Sequence, residues 1–159
     1  TSRERLTRFA EALQGVISRH DILRTAVVWE RLDEPVQVVW REARLGLDEI
    51  PLDPAAGDIA EQLTACLNPR HHRLDIRQAP LMRIGYSEDA PNQRWVAVLL
   101  LHHLVDDATS LRMLIAEVEA HTRGEEAQLP ASVPYRNYVA QARLGVSREA
   151  HEAFFSEML

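Results

Sequence analysis

The sequence predicts an α/β (α+β) fold, a two-layer domain with a mixed sheet flanked by helices, from three observations. Apolar residues recur at the helical period in several stretches, β-branched and aromatic runs stand between them, and two pairs of those runs are joined by short polar turns that suit hairpins. A chain of 159 residues that is 46% hydrophobic and 26% charged has the proportions of one globular domain. It is long enough to bury a core without metal or disulfide staples.

Leu6, Phe9, Ala10, Leu13 and Ile17 form one helical face, with Thr1 and Glu4 placed as a capping box and the helix ending near Arg19. Ile22–Glu30 and Val36–Trp40 read as a hairpin around Arg31–Pro35. Asp58 is placed to cap a short helix carrying Ile59, Leu63, Cys66 and Leu67, which Asn68-Pro69 stops. Leu81–Ser87 and Arg94–His102 read as two further strands, the second apolar on both faces and so expected at the centre of the sheet. Leu111, Leu114, Ile115 and Val118 mark a helix that ends near Gly124. Pro134–Leu159 divides into two helices at Gly145, with Ser147 as the second cap. Trp29, Trp40 and Trp95 fall in strand-like runs and are assigned to the core, as is Cys66 on its helical face.

Composition narrows the function classes. The longest apolar run, Trp95–Leu101, is far short of the roughly 18–20 residues a membrane span needs. The net charge is −6 and the cations are dispersed, which argues against a nucleic-acid partner. One cysteine excludes an intrachain disulfide and suits a reducing, cytoplasmic setting. The first residue is Thr1, so the chain reads as part of something longer.

Chemistry concentrates in His102-His103-Leu104-Val105-Asp106-Asp107-Ala108, where a strand runs into a helix. Imidazole is suited to proton handling near neutral pH, and a strand end is a rigid mount. Adjacent strand residues face opposite ways, so His102 and His103 are not expected in one site, and one is expected behind the sheet. The same parity disfavours a metal centre. Asp107 could cap the following helix or pair with a cation, and the pattern by itself also fits a packed histidine followed by a cap. His71-His72 lies in an Arg- and Pro-flanked loop and reads as surface.

These residues resemble the HHxxxDG motif of condensation domains in nonribosomal peptide synthetases, which are chloramphenicol acetyltransferase-like acyltransferases. Three further stretches agree in order. Arg19-His20-Asp21-Ile22-Leu23-Arg24-Thr25 resembles RHExLRT, Arg73–Arg83 resembles FDLxxxPLxR, and Tyr135-Arg136-Asn137-Tyr138-Val139-Ala140 resembles YxDFAxW. The resemblance implies that residues 1–159 are most of an N-terminal lobe, a chloramphenicol acetyltransferase-like half-domain without the family's first motif or its C-terminal lobe. It implies peptide-bond formation between an acyl or peptidyl thioester and an aminoacyl amine, each on the phosphopantetheine arm of a carrier domain, with an adenylation domain adjacent and no cofactor or metal bound to this chain. Antibiotic biosynthesis and secondary metabolism are the expected setting.

By the same resemblance His103 is the catalytic residue, acting as a base or by positioning the amine and stabilising the tetrahedral species. His102 is structural, and Asp107 forms a buried ion pair with Arg24 that fixes the loop. Ala108 replaces the motif Gly and is tolerated only at negative φ; Asn137 replaces an Asp. Alternatives are an epimerization domain of the same fold, a non-catalytic carrier-docking lobe, and an acyltransferase using free acyl-coenzyme A. The isolated lobe is expected to be inactive and to expose an apolar surface.

Overall fold

The computed structural model describes residues 1–158. Helix α1 (Arg3–Arg19) buries Leu6, Leu13 and Ile17 of the predicted face together with Val16, while Phe9 of that face is exposed. Its cap is Ser2, whose Oγ accepts from Arg5 N–H at 3.2 Å, rather than Thr1. Thr1 lies outside the helix because its amino group and carbonyl both bond to Trp95. A short 3-10 turn, Asp21–Arg24, delays the first strand, so the hairpin is β1 (Thr25–Val28) against β2 (Val36–Val39), antiparallel as expected.

The second sheet is three-stranded, in the order β3 (Gly46–Glu49), β4 (Met82–Asp89), β5 (Arg94–Leu101). β3 runs parallel and β5 antiparallel to β4, which makes the pairing mixed. The expectation that β5 is central is corrected: β4 is central and β5 is an edge strand. β5 is apolar on both faces for another reason. Trp95, Leu99 and Leu101 pack on the core, while Val98 and Leu100 line a cleft. β3 escapes sequence reasoning because Asp48 and Glu49 are poor strand formers. It pairs with the β4 backbone, and side-chain bonds add to that pairing: Arg83 donates to Asp48 at 2.7 and 2.9 Å, and Tyr86 Oη–H donates to Glu49 at 3.1 Å.

Helix α2 (Ile59–Cys66) is capped by Asp58, which accepts from Glu61 N–H at 2.9 Å. It packs on β4 and β5 so closely that a Cβ at Gly85 would run into the Leu67 side chain. Cys66 is exposed, not core. Helix α3 (Ala108–Arg123) packs along α1 and ends at Gly124, whose φ of 71° is the left-handed cap conformation that favours glycine. Helices α4 (Tyr135–Leu144) and α5 (Arg148–Met158) follow, divided at Gly145, with Ser147 Oγ accepting from Ala150 N–H.

The core joins Leu13, Val16 and Ile17 of α1, Met82 and Ile84 of β4, Val105, and Leu114 and Val118 of α3. Trp40 and Trp95 pack against it, but Trp29 is exposed. Apolar surface is also exposed, at Phe9, Met113 and Ile115 and at Tyr138, Phe154 and Phe155 on the last two helices. Among the described residues no helix is long and apolar enough to cross a membrane.

Several aspartates lie below the ordinary value of 3.8, among them Asp48 chiefly through its Arg83 hydrogen bond, Asp89 through Arg94, and Asp107 through the Ser110 backbone N–H. A carboxyl held low in the folded state stabilises it above the unfolded value, and that contribution disappears as pH falls toward the folded value. Urea unfolding midpoints should therefore hold steady between pH 7 and 5 and drop below about pH 4. A midpoint that stays level down to pH 3 would contradict these assignments.

Candidate active site

The β4–β5 ladder reaches one step past the strands, where His102 N–H donates to Leu81 C=O at 3.0 Å. The chain then turns through His102–Val105, closed by Val105 N–H on His102 C=O at 3.1 Å and anchored by buried Val105. His103 and Leu104 form the exposed tip. Neither histidine lies behind the sheet. His102 is half-buried and lines a cleft of about 1120 Å³ with Val98 and Leu100 on one side and Arg70, Arg73 and Ile76 on the other. Strand parity fails here because β5 ends at Leu101, so His103 belongs to a turn.

In their neutral forms the two rings are held as opposite tautomers. His103 Nδ1 lies 3.1 Å from Asp106 C=O. A carbonyl oxygen only accepts, so Nδ1 carries the proton, and the Nε2 lone pair of the neutral ring is free. His102 Nδ1 instead accepts from Leu104 N–H at 3.1 Å, which puts the proton of its neutral ring on Nε2. Of the two free Nε2 atoms, that of His103 is therefore the proton acceptor and that of His102 the donor.

Asp107 caps α3. Its carboxylate accepts from Thr109 N–H at 2.9 Å and Ser110 N–H at 2.8 Å, and Ser110 Oγ accepts from Asp107 N–H at 2.7 Å. Ala108 is the first helical residue and is not among the positive-φ positions, so it satisfies the backbone where the motif has Gly.

The expected ion pair is corrected, since the structure does not bring Arg24 and Asp107 together. Arg24 Nη2 donates to Asp21 at 2.8 Å, and Nη1 donates to the carbonyls of Trp40 and Arg41. Asp107 spends its lone pairs on the unpaired amides of its own helix end, a local bond with little chain to order, whereas Arg24 is 83 residues away. The motif string conceals the nearer partner: Asp21 precedes Arg24 by one helical turn, the i,i+3 spacing of a local pair. Arg24 and Asp21 should show a coupling of roughly 0.5–3 kcal/mol in a double-mutant cycle, while Arg24 and Asp107 should add within about 0.5 kcal/mol. Coupling confined to the Arg24–Asp107 cycle would contradict the observed pairing.

His20 is hydrogen bonded. Its Nε2 lies 2.7 Å from Glu117, which also accepts from Arg19 Nε at 3.1 Å, tying the end of α1 to α3. His71 and His72 are exposed, although His72 reaches the cleft rim. Among the described residues no three His, Cys, Asp or Glu side chains gather as a metal site. Sequence reasoning missed Ser110, which Asp107 flags as the third helical residue of a capping box, and the carbonyl of Asp106.

The family model described as Condensation domain matches residues 2–159. The chain is 46% identical over 158 residues to malpinin synthetase of Mortierella alpina, covering 99% of this chain and 2% of the relative. It is 31% identical over 155 residues to a linear gramicidin synthase of Brevibacillus parabrevis, covering 94% of this chain and 3% of the relative. The chain thus spans a small fraction of the length of these relatives. Among solved structures, a cyclization-docking bidomain of a nonribosomal peptide synthetase from Sorangium cellulosum shares the fold at a TM-score of 0.71 and 23% identity, over 95% of this chain and 30% of the other. With a match over nearly its whole length, this chain belongs to the condensation domain family of nonribosomal peptide synthetases.

Proposed function

We propose that this chain is the N-terminal lobe of a peptide-bond-forming condensation domain, with His103 at the reacting centre. The observation that carries the reading is the exposed His103 ring, its Nδ1–H tied to Asp106 C=O and its Nε2 free. Such a ring can accept a proton from an attacking amine and does not turn to present the wrong nitrogen.

In the proposed reaction the acceptor amine attacks the donor thioester carbonyl, and a C–N bond forms. His103 Nε2 takes the amine proton, and the tetrahedral intermediate collapses with cleavage of the C–S bond. The proton passes to the departing thiolate, so the products are an amide and a free phosphopantetheine thiol. The two arms are substrate handles on partner carrier domains, not groups resident on this chain. A C-terminal lobe closing over His103, an adjacent adenylation domain and a cytoplasmic setting complete the reading. His102, with Nδ1 committed to Leu104 N–H, supports the turn.

The test uses the intact synthetase that carries this chain, with donor and acceptor carriers loaded. The expected product is a dipeptidyl thioester on the acceptor carrier. Inversion of an α-carbon without a new amide, or acylation of a soluble amine by free acyl-coenzyme A with no carrier present, would replace this reading. The 159-residue chain alone should give no product.

A further inference from the structure

The orientation of His103 traces to one side chain outside the histidine pair. Asp106 C=O and Asp107 N–H belong to the same peptide group, which is planar and trans, so fixing the N–H direction fixes the carbonyl on the opposite side. Ser110 Oγ fixes that N–H at 2.7 Å. The carbonyl is thereby aimed at His103 Nδ1, 3.1 Å away. Ser110 Oγ also lies 2.9 Å from Asp106 Oδ1 and 2.9 Å from Asp107 Oδ1, so its single proton always has an anionic acceptor and its lone pairs stay turned to the Asp107 amide.

We propose that Ser110 is a positioning residue for His103, acting through the Asp106–Asp107 peptide plane. The inference rests on the reading of His103 as the reacting group, and it assigns no contact between Ser110 and substrate. A hydroxyl at this position is suited to the task because it can accept from the amide and donate to a carboxylate simultaneously. The other half of the α3 capping box does not use the hydroxyl, since the Thr109 and Ser110 backbone amides bond to the Asp107 carboxylate.

The experiment compares Ser110→Ala, Ser110→Thr and His103→Ala in two assays. In the 159-residue chain, long-range ¹⁵N–¹H spectra at about pH 8.5, well above the ordinary imidazole range, report the His103 tautomer. Ser110→Ala should move it from Nδ1–H toward Nε2–H, and Ser110→Thr, which keeps the hydroxyl, should leave it in place. In the loaded synthetase Ser110→Ala should lower kcat about 10- to 100-fold with KM unchanged, the loss expected for a misaimed group rather than a lost binding contact. Ser110→Thr should restore most of the rate. An unchanged tautomer in Ser110→Ala, or equal loss in both Ser110 variants, would overturn the proposal. A His103→Ala synthetase that keeps full rate would overturn the catalytic reading instead, while the tautomer shift would still report the positioning.

Discussion

Replacing His103 with Ala is expected to lower dipeptide formation by the loaded synthetase about 10²- to 10⁴-fold, the range in which a positioned general base contributes. The fold should not register the change. His103 is exposed at a turn tip, and its one hydrogen bond uses a carbonyl that water can serve equally well. Thermal unfolding of the variant chain should superimpose on that of the original. His102→Ala should reverse this pattern in part, because the ring accepts from Leu104 N–H and helps hold the turn. Removing this half-buried ring takes away a bond that orders the turn and the packing of the ring in the cleft wall, and should cost stability as well as rate. Full activity in His103→Ala, or a large stability loss with it, would show that the ring is a packing element.

The second large effect is expected in the core. Leu13 is fully buried at the centre of α1, in the cluster that joins α1, α3 and the β4–β5 sheet. Leu13→Ala cuts the side chain back to a methyl and leaves a cavity. It should cost about 2–5 kcal/mol in urea unfolding, a substantial share of the roughly 5–15 kcal/mol by which domains are stable. The functional consequence follows from geometry. The β4–β5 ladder and buried Val105 mount the histidine turn, and the start of α3 holds Ser110, so both supports of His103 stand on this core. A loss below about 1 kcal/mol, well under the range for a buried leucine, would mean that the α1–α3 contact does not organise the domain.

Much of the fold is legible because single chain segments carry their own signals. The α1 stripe from Leu6 to Ile17, the Asp58 and Ser147 caps and the turn residues between β4 and β5 each act over a few residues, and each forms where local physics places it. What escapes is what depends on distant partners. β3 has no strand pattern of its own and forms by pairing with β4, with side-chain bonds to Arg83 and Tyr86, which lie 35 and 37 residues further on. The edge position of β5 depends on β3 taking the other side of β4, so misplacing one misplaces the other. Cys66 and Trp29 fall on patterned segments and still end at the surface, because a short helix and a two-stranded hairpin lack the neighbours to cover them.

At the site, the motif letters identify the histidine pair and the helix cap but misassign the cap's partner. Asp107 has two uses open to it in sequence, and the unpaired amides of α3 are the nearer claim on its oxygens. Arg24, bonded to two carbonyls and to Asp21, ties the end of the hairpin to the Asp21–Arg24 turn. The groups that aim His103 are a carbonyl and a serine hydroxyl. The carbonyl is common to every residue and therefore invisible in a motif, and Ser110 is visible only once Asp107 is recognised as the cap.

The proposed role of His103 depends most on its neutral ring carrying its proton on Nδ1 and leaving Nε2 free. The direct measurement is the ¹⁵N spectrum of the unsubstituted chain above the ordinary titration range of imidazole, with His103 assigned by comparison with His103→Ala. A protonated Nδ1 and an unprotonated Nε2 at His103, with the opposite pattern at His102, is the predicted result. Nε2–H at His103 would contradict that role, because the nitrogen left open at the turn tip would then have no lone pair to receive a proton.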